Sequence, residues 1–295
     1  MRQNSWHGKT SFDREKDEVE KSKATLATVV EKLAPLAIPL KPPAPGEWLA
    51  EHDEPGQTFW QYANSDPTRA TAERNKIYIA PLGNFDEAQD KILMCSAEFL
   101  STFYGLPVIV QEPSSIAKIS AKAQRIHPEW GDHQILTSYI REKLAKHLPS
   151  DAATYLCFTT CDLWPGKNWN FVFGQASLLE RVGVWSMYRY GNPSGSPSQY
   201  RKCLGLVLKT MVHETGHMFG MQHCTAYNCG MCGSNHLPES RSHPIYFCPE
   251  CTPKIKWATG VDLADRAKKL HGLSEKWELH DPASYYARSH ALLSK

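Results

Sequence analysis

Residues 213–223 read HETGHMFGMQH, which places three histidines, a glutamate and a glycine at the offsets HExxHxxGxxH. Residues four apart on an α-helix share a face, so His213 and His217 are placed to bind one ion together. Zinc held by three neutral imidazoles keeps a fourth position for water and brings that water's pKa towards neutrality. Glu214 follows the first histidine, where its carboxylate can reach the water and take its proton. Gly220 lies three residues beyond His217. A glycine there can turn left-handed, end the helix and swing the chain so that His223 reaches the metal from outside. An amphipathic helix with chance histidines would account for HExxH alone. It does not account for a glycine and a third histidine that are both in register.

The rest of the chain bounds the setting. At 295 residues it can bury a real core. A net charge of +2 gives no electrostatic case for nucleic acid or for an anionic membrane surface. No apolar run is long enough to span a bilayer, and the first residues lack the apolar core of a signal peptide. Nine cysteines in such a chain favour metal binding or free thiols over a disulfide framework. A cytoplasmic location is the resulting expectation.

Residues 1 to 24 are polar and charged without an apolar period, and read as disordered or as a frayed helix. Residues 24–40 suggest a short helix, ended by the prolines of a semi-extended linker. From Lys76 the pattern alternates strand and helix. Ile77 to Ala80 form a strand, 86–104 a helix, 106–110 a strand apolar enough for a sheet interior, 133–148 an amphipathic helix, and 153–161 a third strand. This alternation predicts a mainly parallel sheet with crossover helices. Residues 169–173 and 181–188 suit an antiparallel pair. Ser196-Pro197 is a plausible start for the histidine helix, which Leu204, Val207, Leu208, Met211 and Val212 anchor in the core. Residues 261–270 suggest a helix over the cleft.

Five cysteines follow within 28 residues: Cys224, Cys229, Cys232, Cys248 and Cys251. Four thiolates around zinc make a closed structural site that stabilises a loop-rich segment. Spacing alone, CxxC and then CxxC, picks Cys229, Cys232, Cys248 and Cys251.

The sequence from His213 onward resembles the archaemetzincin family, whose zinc motif continues with CxxxxCxM and a distal CxxC. Here Cys224 directly follows His223, Cys229 precedes Gly230 and Met231, and Cys248 and Cys251 close a CPEC pair. The segments DLWP, WNFVFGQAS and VGVWSMYRYG are similar to that family too, and the resemblance runs from about residue 77 to 255. It implies a structural zinc on Cys224, Cys229, Cys248 and Cys251, with Cys232 left free, so spacing and resemblance disagree over one ligand. It also implies that Met231 forms a methionine turn beneath the catalytic zinc. By the same resemblance, Phe171, Val172, Phe173 and Gly174 supply a sheet edge to which an extended substrate adds a strand.

The expected fold is α/β (α+β) and zincin-like. A mixed sheet with a long active-site helix stands over a small irregular C-terminal subdomain stapled by zinc. The expected organisation is an N-terminal extension (1–75) and a catalytic domain (76–295), the latter divided into upper (76–220) and lower (221–295) parts. The expected activity is that of a monomeric metallopeptidase with two zinc ions, in which Glu214 activates the zinc-bound water. Its substrates are peptides or proteins, with aminopeptidase action on small peptides as the narrower form. Two other classes compete: a peptide-binding scaffold with purely structural zinc, and a zinc-ribbon nucleic-acid binder. Glu214 speaks against the first, and the lack of a basic stripe beside the cysteines against the second.

Overall fold

The computed structural model describes residues 11–295, with side chains from Lys16 onward. The first half comprises helices α1 (Ser11–Leu33), α2 (Trp48–Glu51) and α3 (Phe59–Asn64), strand β1 (Lys76–Leu82), helix α4 (Glu87–Tyr104), strands β2 (Val108–Val110), β3 (Gln124–Ile126) and β4 (His133–Leu136), and helix α5 (Thr137–Lys146). Strands β5 (Ala152–Thr159), β6 (Asp162–Trp164), β7 (Gly174–Ala176) and β8 (Val182–Ser186) follow. The chain ends in helices α6 (Pro197–Met218), α7 (Leu237–Ser242), α8 (Thr252–Thr259), α9 (Leu263–Lys276) and α10 (His280–Leu293).

The main sheet has the order β2-β1-β5-β8-β7. Its strands are parallel except β7, which runs antiparallel to β8. A smaller sheet, β3-β4-β6, is antiparallel at its first pair and parallel at its second. All eight residues of β5 are buried, as a central strand covered on both faces requires. Leu156 and Phe158 point to one core with α4 and α6, whereas Tyr155 and Cys157 point to a second core with Ile140 and Leu144 of α5. The architecture is therefore the mixed α/β one expected.

The helix ends follow local chemistry. Asp86 caps α4 by accepting from Gln89 N while the Gln89 side chain accepts from Asp86 N, and Gly105 closes the helix at φ +68°. Among the described residues no helix is long and apolar enough to cross a membrane.

Several sequence expectations need correction. The helix expected at 133–148 begins only at Thr137. Its first four positions form β4, because Gln134 and Ile135 are buried between two neighbouring strands. The strand at 106–110 shrinks to β2, an edge strand with Ile109 exposed, rather than an interior one. The antiparallel partner of β8 is residues 174–176, just beyond the expected 169–173. Helix α9 packs on α10 and α4 and lies away from the cleft.

The largest difference lies at the N-terminus. Residues 1–10 fall outside the described residues, but the polar stretch from Ser11 belongs to α1, which starts well before residue 24. Few apolar side chains mark its first turns, so no stripe announces it. Its anchorage comes later. Lys23 is buried and donates to Glu20 (2.7 Å) and Asn64 (2.6 Å), and Leu26 and Leu33 enter the main core with Phe59 and Tyr62 of α3. Leu33→Ala is therefore expected to lower unfolding free energy by about 2–4 kcal/mol in denaturant titration. A loss under about 0.5 kcal/mol, ordinary for a surface position, would contradict this packing.

Candidate active site

Helix α6 delivers the first two histidines. The Ser196 hydroxyl accepts from Gln199 N at its start and Pro197 occupies the first turn, as expected from the sequence. Leu204, Val207, Leu208, Met211 and Val212 are fully buried, which fixes the helix against β8 and α4. Gly220 takes φ +83° beyond the helix end, so the chain turns and brings His223 back towards the other two rings.

Each ring is held by its Nδ1. His213 Nδ1 lies 2.9 Å from Gly230 O, and His217 Nδ1 lies 2.7 Å from Met221 O. His223 Nδ1 faces the Glu54 carboxylate at 2.8 and 3.0 Å. Carbonyl and carboxylate oxygens only accept, so all three Nδ1 atoms carry a proton, and in the neutral ring that a metal requires each Nε2 carries the lone pair. The Nε2 atoms of His213 and His217 stand 3.0 Å apart, and one nitrogen from each of the three rings lies within 4.8 Å of the others. Burial, reinforced by the neighbouring histidines, holds His213 well below its ordinary pKa and brings His217 down to about 3. Neutral imidazoles whose lone pairs face one another repel unless a cation lies between them. This donor set fits zinc.

Glu214 is buried beside these rings, and burial pushes its carboxyl up to about 8 against the pull of Arg141. A Cβ on Gly174 would lie 2.5 Å from Glu214 Oε1, so β7 can pass this close only with glycine at that position. The groups open into one cleft of about 600 Å³, lined by Glu214, the three histidines and residues 171–176 among others. Among the described residues β7 pairs only with β8, so its second edge is unpaired. Lys209, one turn before His213, lines the same cleft. Burial brings its pKa down to about 7, and its Nζ donates to Ser240 O and Oγ.

A second cluster adjoins the first. The sulfurs of Cys224, Cys229, Cys248 and Cys251 lie within 4.8 Å of one another, all buried. Cys229 Sγ accepts from the backbone N–H groups of Met231 (3.4 Å) and Cys248 (3.2 Å). Burial pushes the Cys229 and Cys248 thiols up, whereas hydrogen bonds from Cys229, Cys248 and Cys251 hold Cys224 down. Four thiolates this close need a cation, and four sulfurs suit tetrahedral zinc. Cys232 lies outside the cluster, with its thiol donating to Tyr227 O at 3.2 Å.

Comparison with known proteins gives this geometry a lineage. Residues 154–257 match the family model for peptidase family M54. Archaemetzincin-2 of Homo sapiens is 34% identical over 259 residues, which span 77% of this chain and 71% of that protein. The chain belongs to the archaemetzincin family. Archaemetzincins are zinc metallopeptidases, so the enzyme is a hydrolase that acts on peptides or proteins. The archaemetzincin of Thermococcus kodakarensis is 36% identical over 185 residues, covering 61% of this chain and 94% of that one. The crystal structure of the Methanopyrus kandleri archaemetzincin superposes with a TM-score of 0.52 at 26% identity, over 64% of this chain and 98% of that one. In these two comparisons the archaeal protein is matched almost end to end by about three fifths of this chain.

The residues singled out from the sequence fall as follows. The three histidines converge with Glu214 in their cleft. Met231 is fully buried, and a Cβ on Gly216 would lie 2.6 Å from its Sδ, so the methionine packs against α6 between the two helical histidines. Phe171, Val172, Phe173 and Gly174 all line the cleft, although the Val172 N–H is already donated to Leu163 O (3.1 Å).

Sequence reasoning missed Glu54, Trp48 and Lys209. Lys209 had a legible signal, since a charged residue four before His213 falls on a buried helix face. Glu54 and Trp48 had none, because no spacing relates them to the histidines.

Proposed function

We propose that the cleft hydrolyses peptide bonds with one zinc ion held by Nε2 of His213, His217 and His223, and with Glu214 as general base and then general acid. The convergence of three Nε2 lone pairs beside a buried carboxylate carries this reading. Bound there, zinc supplies Lewis acidity, polarising a carbonyl oxygen and making water easier to deprotonate. Glu214 takes the water proton on a carboxylate oxygen and passes it to the leaving nitrogen. A carboxyl whose proton affinity burial has raised suits both steps.

The unpaired edge of β7 is the natural place for an extended peptide to add a strand, with Phe171, Val172, Phe173 and Gly174 at the start of that wall. Amino-terminal trimming would have to rely on neutral acceptors, such as backbone carbonyls or the amide oxygens of Asn168, Asn170, Gln175 and Asn235, to hold the substrate's ammonium group, since Glu214 is the one carboxylate among the described lining residues. Cys224, Cys229, Cys248 and Cys251 hold a second, structural zinc. We read residues 76–220 as the part above the cleft and 221–295 as the part below it. A scaffold with structural zinc alone has no use for Glu214 in the cleft.

Glu214→Gln keeps the side-chain volume and removes the base. Turnover of a peptide library is expected to fall at least 100-fold with zinc content unchanged; retained turnover would contradict the mechanism. Zinc counting on single serine variants tests the second centre. Cys224→Ser is expected to lose one zinc per chain and Cys232→Ser none, and the reverse pattern would overturn the assignment.

A further inference from the structure

His213 and His217 ride on a helix, and backbone carbonyls of nearby residues fix their tautomers. His223 has neither advantage. It follows the Gly220 turn, off the helix, and its Nδ1 is held by a side chain 169 residues away, the carboxylate of Glu54. We infer that residues 47–57 complete the active site and that Glu54 positions His223 for the metal. This rests on the reading above, in which the three histidines hold zinc.

The segment is pinned at both ends to the parts that shape the site. At its start the buried Glu239 carboxylate accepts from Trp48 N (2.8 Å) with one oxygen and from Asn235 N (2.6 Å) with the other. Asn235 lines the cleft, so one carboxylate joins the arm to the cleft wall. At its end the Gln57 amide accepts from Gln222 N (3.2 Å) and donates to Gly220 O (3.5 Å), which clamps the turn before His223. The fully buried Lys254, from α8, donates to Gln57 O. Two of these bonds tie the half-buried segment to the buried side chains of Glu239 and Lys254.

Between the pins the arm faces the histidine. The Trp48 ring meets His223 edge-on at 5.1 Å between centroids and stacks on His52 at 3.9 Å. His52 in turn lies 6.1 Å from Trp169, so it braces the two indoles, Trp48 and Trp169, that wall the cleft on the His223 side. With that wall behind the ring and Glu54 on its Nδ1, the Nε2 of His223 has one direction left, towards His213 and His217. The negative charge of Glu54 also strengthens the imidazole as a donor, as carboxylate partners of metal-bound histidines do. A carbonyl partner, as on the other two rings, fixes the tautomer with less of that charge.

Zinc affinity measured by competition with a chromophoric chelator tests this on the full chain. Glu54→Ala is expected to weaken one zinc site 10–100-fold and leave the other unchanged. Glu54→Gln keeps an acceptor for Nδ1–H without the charge, so it is expected to recover part of that loss. Unchanged affinity in Glu54→Ala would overturn the inference, as would equal weakening of both sites, which is the signature of a general folding defect. His217→Ala, measured in parallel, separates the two levels. If it removes no zinc, the histidine site itself is misread; if it removes one while Glu54→Ala has no effect, only the role of Glu54 fails.

Discussion

Three imidazole lone pairs aimed at one another form the constraint on which the rest of this structure depends. Two of the Nε2 atoms stand 3.0 Å apart, an arrangement that is repulsive until a cation relieves it. Each ring must therefore be fixed from behind, through Nδ1. Fixing His213 requires Gly230 O at one place, and fixing His217 requires Met221 O at another. Those positions depend on the left-handed turn at Gly220 and on a close fit of Met231 against Gly216. The apolar anchoring of α6 keeps this frame from yielding to the repulsion.

The two metal centres are built from one piece of chain. His223 and Cys224 are consecutive, and Gly230, which holds His213, lies between Cys229 and Met231. Cys224 N donates to Met231 O (2.9 Å), which closes a loop from the third histidine to the methionine and back. Glu250, inside the CPEC pair, accepts from Phe59 N (2.7 Å) and so ties the cysteine cluster to α3. A structural zinc at the four sulfurs would thus hold the histidine frame as well as its own loops.

The histidine site was legible because its residues are local and a helix converts spacing into geometry. His213, Glu214, His217, Gly220 and His223 need only the 3.6 period and one glycine turn. The alternation from Lys76 likewise revealed the sheet, since β5 is rich in the β-branched and aromatic residues that suit a buried strand. What the sequence hid depends on distant partners. In β4 the burial of Gln134 and Ile135 comes from two neighbouring strands, and the helical stripe that follows masked them. Helix α1 begins in polar residues, and the buried Lys23 finds its partner on α3, outside any local pattern. Spacing also favoured Cys232 over Cys224, and the difference lies in three dimensions, where the Cys232 thiol turns to Tyr227 O. Glu54 is the extreme case, because its contact with His223 spans most of the catalytic sequence.

Anomalous diffraction at the zinc absorption edge on crystals of the native protein goes most directly to the metal assignment. Two peaks are expected in each chain: one among the Nε2 atoms of His213, His217 and His223, and one among the sulfurs of Cys224, Cys229, Cys248 and Cys251. A peak confined to the cysteines, with none at the histidines even after soaking in zinc, would contradict a catalytic metal held by the three rings.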